Sequence, residues 1–193
     1  MRGGEIISNL HNRERGYLVG LFLGDGYSHH DKKNRHYTVE FYLNSIRDKD
    51  IQKYLIKLLK RMNLNPAVFK DKRYNCNKTR VRSKEFFSYV RNFKFKRNKE
   101  FNMGLVSGLI DSDGYVNFEK SYIQIINTNK QLLDKIKLIL DGFNINSSIK
   151  RRVKSRKDKL KSYKLSISFK FIKTSNNSIK VKRIAGWSKV PFV

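Results

Sequence analysis

Cysteine is almost absent from this 193-residue chain. Cys76 stands alone, which excludes an internal disulfide and a cysteine-based zinc site. Acidic residues are scarce as well: 16 Asp and Glu stand against 43 Lys and Arg, a net charge of +27. A compact chain so charged repels itself until a polyanion neutralises it, and nucleic acid is the default partner. A ribosomal protein buried in RNA shares that charge. Long apolar runs are also missing: none approaches the roughly 18 residues of a membrane span, and the N-terminus carries no secretory apolar segment. No basic helix with a lipid-facing stripe is evident. These absences predict a soluble intracellular protein without a membrane partner, in a prokaryotic cytoplasm or an organelle. The four histidines (His11, His29, His30, His36) read as ordinary polar residues; adjacent His29 and His30 point to opposite faces of a strand.

What is present is periodic, and it repeats. Gly16-Tyr-Leu-Val-Gly-Leu-Phe-Leu-Gly-Asp-Gly-Tyr27 matches Leu105-Val-Ser-Gly-Leu-Ile-Asp-Ser-Asp-Gly-Tyr115, with Asp25 and Asp113 separated by 88 residues. Each copy leads into an alternating, strand-like segment, Tyr37 to Leu43 and Tyr122 to Ile126. Val39, Phe41 and Leu43 share one face of the first; Thr38, Glu40 and Tyr42 share the other. Helix-period stretches follow, Ile51 to Met62 and Leu132 to Leu140, the second opened by a Thr128-x-x-Gln131 capping box. Both helices end in similar tripeptides, Asn63-Leu64-Asn65 and Asn144-Ile145-Asn146. Further strand-like pieces, Thr79–Arg82 and Tyr163–Ser168, lead into apolar stretches at Phe86–Val90 and Phe169–Ile172. The pattern predicts an α+β protein of two pseudo-symmetric αββαββα halves, 10–95 and 98–185. The basic run Lys150–Lys164 reads as a hairpin loop that touches phosphate, and partial disorder is expected in the last twenty residues.

The motif itself has a physical reading. Residues 16–24 are apolar nearly all round a helix, so burial on all sides is expected. Gly16, Gly20 and Gly24 recur at i, i+4, i+8, as do Gly104, Gly108 and Ser112. Each helical glycine costs roughly 1 kcal/mol relative to alanine. Close approach of two helix backbones is the natural reason to keep them. Gly26 and Gly114 suit a left-handed helix stop. Asp25 and Asp113 then fall at C-terminal helix ends, where the dipole disfavours an acid and favours a cation. Mg²⁺, a hard ion that keeps several waters, suits such oxygen donors. The competing reading of each Asp is an Asx-type turn residue.

The nonapeptides Leu18–Gly26 and Val106–Gly114 resemble the two signature motifs of the LAGLIDADG homing endonucleases, and the likeness extends to the Tyr after each. The resemblance implies a site-specific double-strand DNA endonuclease that acts as a monomer. It implies cleavage across the minor groove, leaving 3′ overhangs, with a Mg²⁺ cofactor. Asp25 and Asp113 become the catalytic acids and metal ligands, joined by the carbonyls of Gly24 and Ser112. Ser45, Asn127, Lys84 and Lys170 are positional candidates for organising metal-bound water. The antiparallel sheets are expected to form a DNA-binding saddle in the major groove. Thr38, Glu40, Tyr42, Arg80 and Arg82 contact DNA from one half; Tyr122, Gln124, Lys150, Arg152 and Lys164 from the other. One position departs from symmetry: Leu23 in the first motif answers to Asp111 in the second. The alternative is an RNA-binding intron maturase, with intron RNA as partner, or a non-cleaving DNA-binding regulator on the same fold.

Overall fold

The computed structural model describes residues 9–71, 74–95, 97–117, 119–152, 160–171 and 178–184. The chain divides into two compact units, Met1–Gly108 and Leu109–Val193. The first contains α1 (Asn12–Asp25), β1 (Gly26–Asp31), β2 (His36–Asn44), α2 (Lys49–Arg61), β3 (Ala67–Asp71), β4 (Cys76–Arg82) and α3 (Lys84–Arg91). Helix α4 (Lys99–Asp113) crosses the boundary. The second continues with β5 (Gly114–Asn117), β6 (Tyr122–Asn127), α5 (Lys130–Asp141), β7 (Ser147–Arg151), β8 (Tyr163–Ser168) and α6 (Ile179–Ile184). The class is α+β as predicted. Each unit holds one four-stranded antiparallel sheet, in the order β1-β2-β4-β3 or β5-β6-β8-β7. The repeat read from the motifs therefore extends to strand topology.

Alternation decides which face of each sheet is buried. Val39, Phe41 and Leu43 of β2 join Val81 of β4 in the first core, with Ile51, Leu55, Leu58 and Leu59 of α2 and Phe86 and Val90 of α3. Ile123 and Ile125 of β6 join Leu165 and Ile167 of β8 in the second, with Leu133, Ile136 and Leu140 of α5. Each such side chain contributes about 1.5–3 kcal/mol of transfer free energy.

Local chemistry sets the ends. Asn63 and Asn144 take left-handed φ values of 56° and 54°. The next amides reach back to close the helix: Leu64 N–H donates to Leu59 O and Ile145 N–H to Leu140 O, each at 3.0 Å. This is why both halves repeat Asn-apolar-Asn: the asparagine tolerates the left-handed turn and the apolar residue returns to the core. Two sequence expectations fail here. The cap of α5 is Asn129, whose side chain accepts from Leu132 N–H at 3.0 Å, rather than the Thr128 box. Gly26 is extended (φ −92°, ψ 146°), not left-handed, and Gly114 likewise opens its strand without a left-handed φ. Glycine is needed because the strand leaves the helix so abruptly that a Cβ there would lie 2.3 Å from Phe22 O; at Gly114 it would lie 2.3 Å from Ile110 O.

Three glycines of the register, Gly16, Gly104 and Gly108, do what close helix contact requires. A Cβ on Gly16 would sit 1.9 Å from Phe101 O, and one on Gly104 would sit 1.8 Å from Arg13 O. Gly108 faces Tyr17 O at 2.1 Å by the same measure. Backbone therefore meets backbone between α1 and the first turns of α4, both within the first unit. Ascending numbers match ascending numbers, so these segments run in the same direction.

Candidate functional site

Each motif ends at the junction of a helix with a strand, so the last acid of the helix lies where the sheet begins. Asp25 is half-buried at the end of α1, just ahead of β1. Asp113 is half-buried at the end of α4, ahead of β5. Asn127, the last residue of β6, donates from its side-chain amide to Asp113 Oδ2 at 2.7 Å. The structure thus joins one of the four positional candidates to a motif acid. Burial pushes the Asp113 carboxyl above its ordinary value, against the opposing pull of Asn127 and Lys180.

The other three candidates have different surroundings. Ser45 is buried just past β2, with its backbone N–H on Asn75 O at 2.7 Å. Lys84 opens α3, its ammonium 5.8 Å from the centre of the Tyr37 ring. Lys170 donates to Asn144 O at 3.3 Å, where α5 ends.

Lys180 escaped the sequence reading. Its ammonium donates to Ser112 O at 2.7 Å and approaches Gly114 O at 3.4 Å, so it lies beside Asp113. It is carried there by α6, which Asp111 holds. The fully buried Asp111 carboxylate accepts from Ser178 Oγ at 2.6 Å, Ile179 N–H at 2.8 Å and Lys180 N–H at 2.9 Å. Of the last twenty residues, for which partial disorder was expected, 178–184 are placed by these contacts and the others lie outside the described residues. The available signal was Asp111 itself, an acid that follows the apolar Leu109 and Ile110 in a buried part of α4 and must find donors. Its donors lie 67 or more residues downstream, outside any local pattern.

The outward sheet faces carry the predicted contact residues. In the first unit Thr38 pairs with Arg82, and Glu40 with Arg80. Tyr27 and His29 of β1 and Phe69 of β3 share this face by register, and alternation alone had not assigned them. Glu40 is not an open side chain. It is 6% exposed, and accepts from Tyr42 Oη at 2.5 Å and Arg80 Nε at 2.6 Å, with Lys78 Nζ at 3.7 Å. Burial pushes its carboxyl up, but the hydrogen bonds from Tyr42 and Arg80 and the charges of Lys78 and Arg80 outweigh that and hold it below the ordinary range. The Tyr42 phenol, bonded to that carboxylate, is pushed up to about 12. Arg80 also lies over the Phe69 ring, 4.9 Å from its centre. The result is a basic and aromatic patch tied together by hydrogen bonds.

In the second unit Tyr122 and Gln124 of β6 lie on the outward face with Lys164 of β8 and Lys150 of β7; Arg152 follows β7. Lys150 sits directly opposite Lys164. Like charges so paired oppose one another unless an anion lies over them. Residues 153–159, within the predicted phosphate-contacting run, lie outside the described residues.

Among the described residues no three His, Cys, Asp or Glu side chains gather to hold a metal. The donors at each motif end are one carboxylate and the nearby carbonyls. That set suits a hard ion that keeps its waters and does not suit zinc. At the second motif an ammonium rests on the Ser112 carbonyl, so this end gathers positive charge.

Two family models match the chain: a LAGLIDADG-like domain over residues 100–180, and the WhiA LAGLIDADG-like domain over residues 14–87. A DNA-directed RNA polymerase subunit, Rpo1C, of Methanocaldococcus jannaschii is 40% identical over 67 residues, 35% of this chain and 8% of that subunit. The chain spans between 8% and 51% of the curated relatives it matches. Among solved structures, I-DmoI in complex with DNA and calcium is similar with a TM-score of 0.71 and 22% identity, covering 91% of this chain and 98% of that one. The N-terminal LAGLIDADG domain of DUF199/WhiA is similar with a TM-score of 0.63 and 20% identity, covering 95% and 92%. The fold is thus common to a homing endonuclease and to WhiA. No described helix is long and apolar enough to cross a membrane.

Proposed function

This chain belongs to the LAGLIDADG family, with LAGLIDADG-like domains matched in both halves, and from that membership we propose that it is a site-specific endonuclease that hydrolyses both strands of double-stranded DNA. The observation that carries this reading is the pair of motif-terminal acids. Asp25 and Asp113 are each half-buried at a helix end whose dipole opposes it. An acid kept twice at an electrostatic cost has a use for its charge.

Asp25 with the Gly24 carbonyl, and Asp113 with the Ser112 carbonyl, would hold divalent ions. Mg²⁺, when bound, supplies charge neutralisation at the scissile phosphates and acidic water. The chain's own contribution is positioning. Asn127 holds Oδ2 and so fixes the plane of the Asp113 carboxylate. Glu40 holds Arg80 and Lys78 in one geometry on the outward sheet face, which favours a fixed reading of base edges. The opposed Lys150 and Lys164 favour a phosphate between them.

A second reading, a non-cleaving DNA-binding regulator, draws on the WhiA-type match over residues 14–87. One experiment separates the two. A plasmid library with randomised inserts is incubated with the protein and Mg²⁺, and linear product is sequenced. The endonuclease reading expects a selected site. It also expects Asp25→Asn and Asp113→Asn each to lose cleavage by more than about a hundredfold, because even outer-shell partners of a metal are worth about 10–100-fold. Both variants should still bind the selected DNA and melt no lower than the parent. Full cutting by either would refute the assignment. Tight binding of library DNA with no cutting by the parent would favour the second reading.

A further inference from the structure

Asp111 breaks the equivalence of the two motifs, and its contacts show where the difference leads. Leu23 offers no acceptor at the matching place in the first motif. In the second, the buried Asp111 carboxylate fastens the start of α6 through Ser178, Ile179 and Lys180. Ser178 continues the cap, its Oγ accepting from Val181 N–H at 3.2 Å. The backbone of Lys180 is thereby held on Asp111, and its side chain reaches the end of α4. There the ammonium takes Ser112 O at 2.7 Å, with Gly114 O at 3.4 Å. Ser112 O is the carbonyl assigned above to a divalent ion, and an ion bound there would lie close to the like charge of the Lys180 ammonium.

We propose that Lys180 is a resident cation of the second motif, held on the Ser112 carbonyl by the Asp111-anchored helix, and that it competes there with a divalent ion. A divalent ion then binds the second motif end against the charge of Lys180. Asp111 and Ser178 are positioning residues; they act through Lys180 and touch neither metal nor DNA.

This rests on the reading of Asp113 as a metal ligand, so the test measures metal binding directly. Mn²⁺ alone is titrated into the full-length protein without DNA, and free Mn²⁺ is followed by electron paramagnetic resonance. Lys180→Met should tighten one Mn²⁺ site by roughly threefold to tenfold, since a neighbouring like charge is removed and a carbonyl is freed. Adding Asp113→Asn should abolish that gain. Asp111→Asn, and the milder Ser178→Ala, should reproduce part of the gain and speed hydrogen exchange at the Ile179 and Lys180 amides. If Lys180→Met leaves Mn²⁺ affinity unchanged or weaker while Asp113→Asn still lowers it, Asp113 stands as a ligand and the role of Lys180 is overturned. Unchanged amide exchange in both Asp111→Asn and Ser178→Ala overturns the anchoring role. If neither Asp25→Asn nor Asp113→Asn alters Mn²⁺ binding, the metal reading falls and this inference falls with it.

Discussion

At the scale of single residues, most of the chemistry comes from carboxylates in unlike surroundings. Asp111 is wholly buried and accepts from Ser178, Ile179 and Lys180, which makes it structural. Asp113, three-dimensionally its neighbour through Lys180, is half-buried and raised by burial. Glu40 is the opposite case: its partners outweigh burial and depress its pKa. That has a signed consequence. A carboxyl whose folded pKa lies below its unfolded pKa stabilises the fold above the unfolded value. The contribution shrinks as pH falls from the unfolded toward the folded pKa. Melting temperature in the parent should therefore drop more steeply on acidification across the carboxylate range than in Glu40→Gln. At the alkaline end the Tyr42 phenol, raised to about 12, keeps its bond to Glu40 well past the ordinary tyrosine value of 10. Its stabilisation is complete below 10 and fades as pH rises through about 12. Parallel melting curves for parent and variant at every pH would show that Glu40 carries no such linkage.

At the scale of elements, the helix contact between α1 and α4 is the most demanding feature. The glycines there are kept because backbone carbonyls occupy the space a side chain would need. Gly104→Ala places a Cβ 1.8 Å from Arg13 O, and backbone cannot yield as a flexible side chain can. The expected loss is about 3 kcal/mol, the upper part of the overpacking range. Gly142→Ala is the control. Gly142 lies in right-handed helical conformation (φ −64°, ψ −15°), and its added Cβ meets nothing nearer than 3.4 Å. That exchange should be neutral or stabilising by up to about 1 kcal/mol through the unfolded chain. Urea denaturation of the two variants measures the contrast; equal stabilities would mean that the helices separate at little cost.

At the scale of the whole molecule, charge and duplication govern behaviour. A net +27 with outward basic faces predicts steeply salt-dependent DNA binding. With some six to ten phosphate contacts, affinity should fall by roughly 10³–10⁵ between 50 and 200 mM salt. Both motifs lie in one chain, so one protein per DNA site is expected. Sedimentation of the complex at micromolar concentration checks the stoichiometry, and fluorescence anisotropy across a salt series checks the slope. A flat log–log plot, or two proteins on one site, contradicts this picture.

Periodicity, glycine register and the twice-repeated Asp-Gly-Tyr depend on residues close together in the chain. The α+β class, the repeat, the main strands and helices and the helix-end placement of the two motif acids are therefore legible in the sequence. So is the outward face of each long strand, since alternation needs only neighbours. Tertiary structure decided what depends on distant partners. Alternation placed Glu40 outward, but Arg80 and Lys78, brought over by β4, bury it under their own charges. Gly26 looked like a left-handed stop, until the path of β1 past Phe22 showed that it clears a collision. Lys180 lay in a stretch with no readable pattern, because six residues of helix carry too little local signal. It becomes part of the site only because Asp111, buried and unable to remain without donors, finds them there.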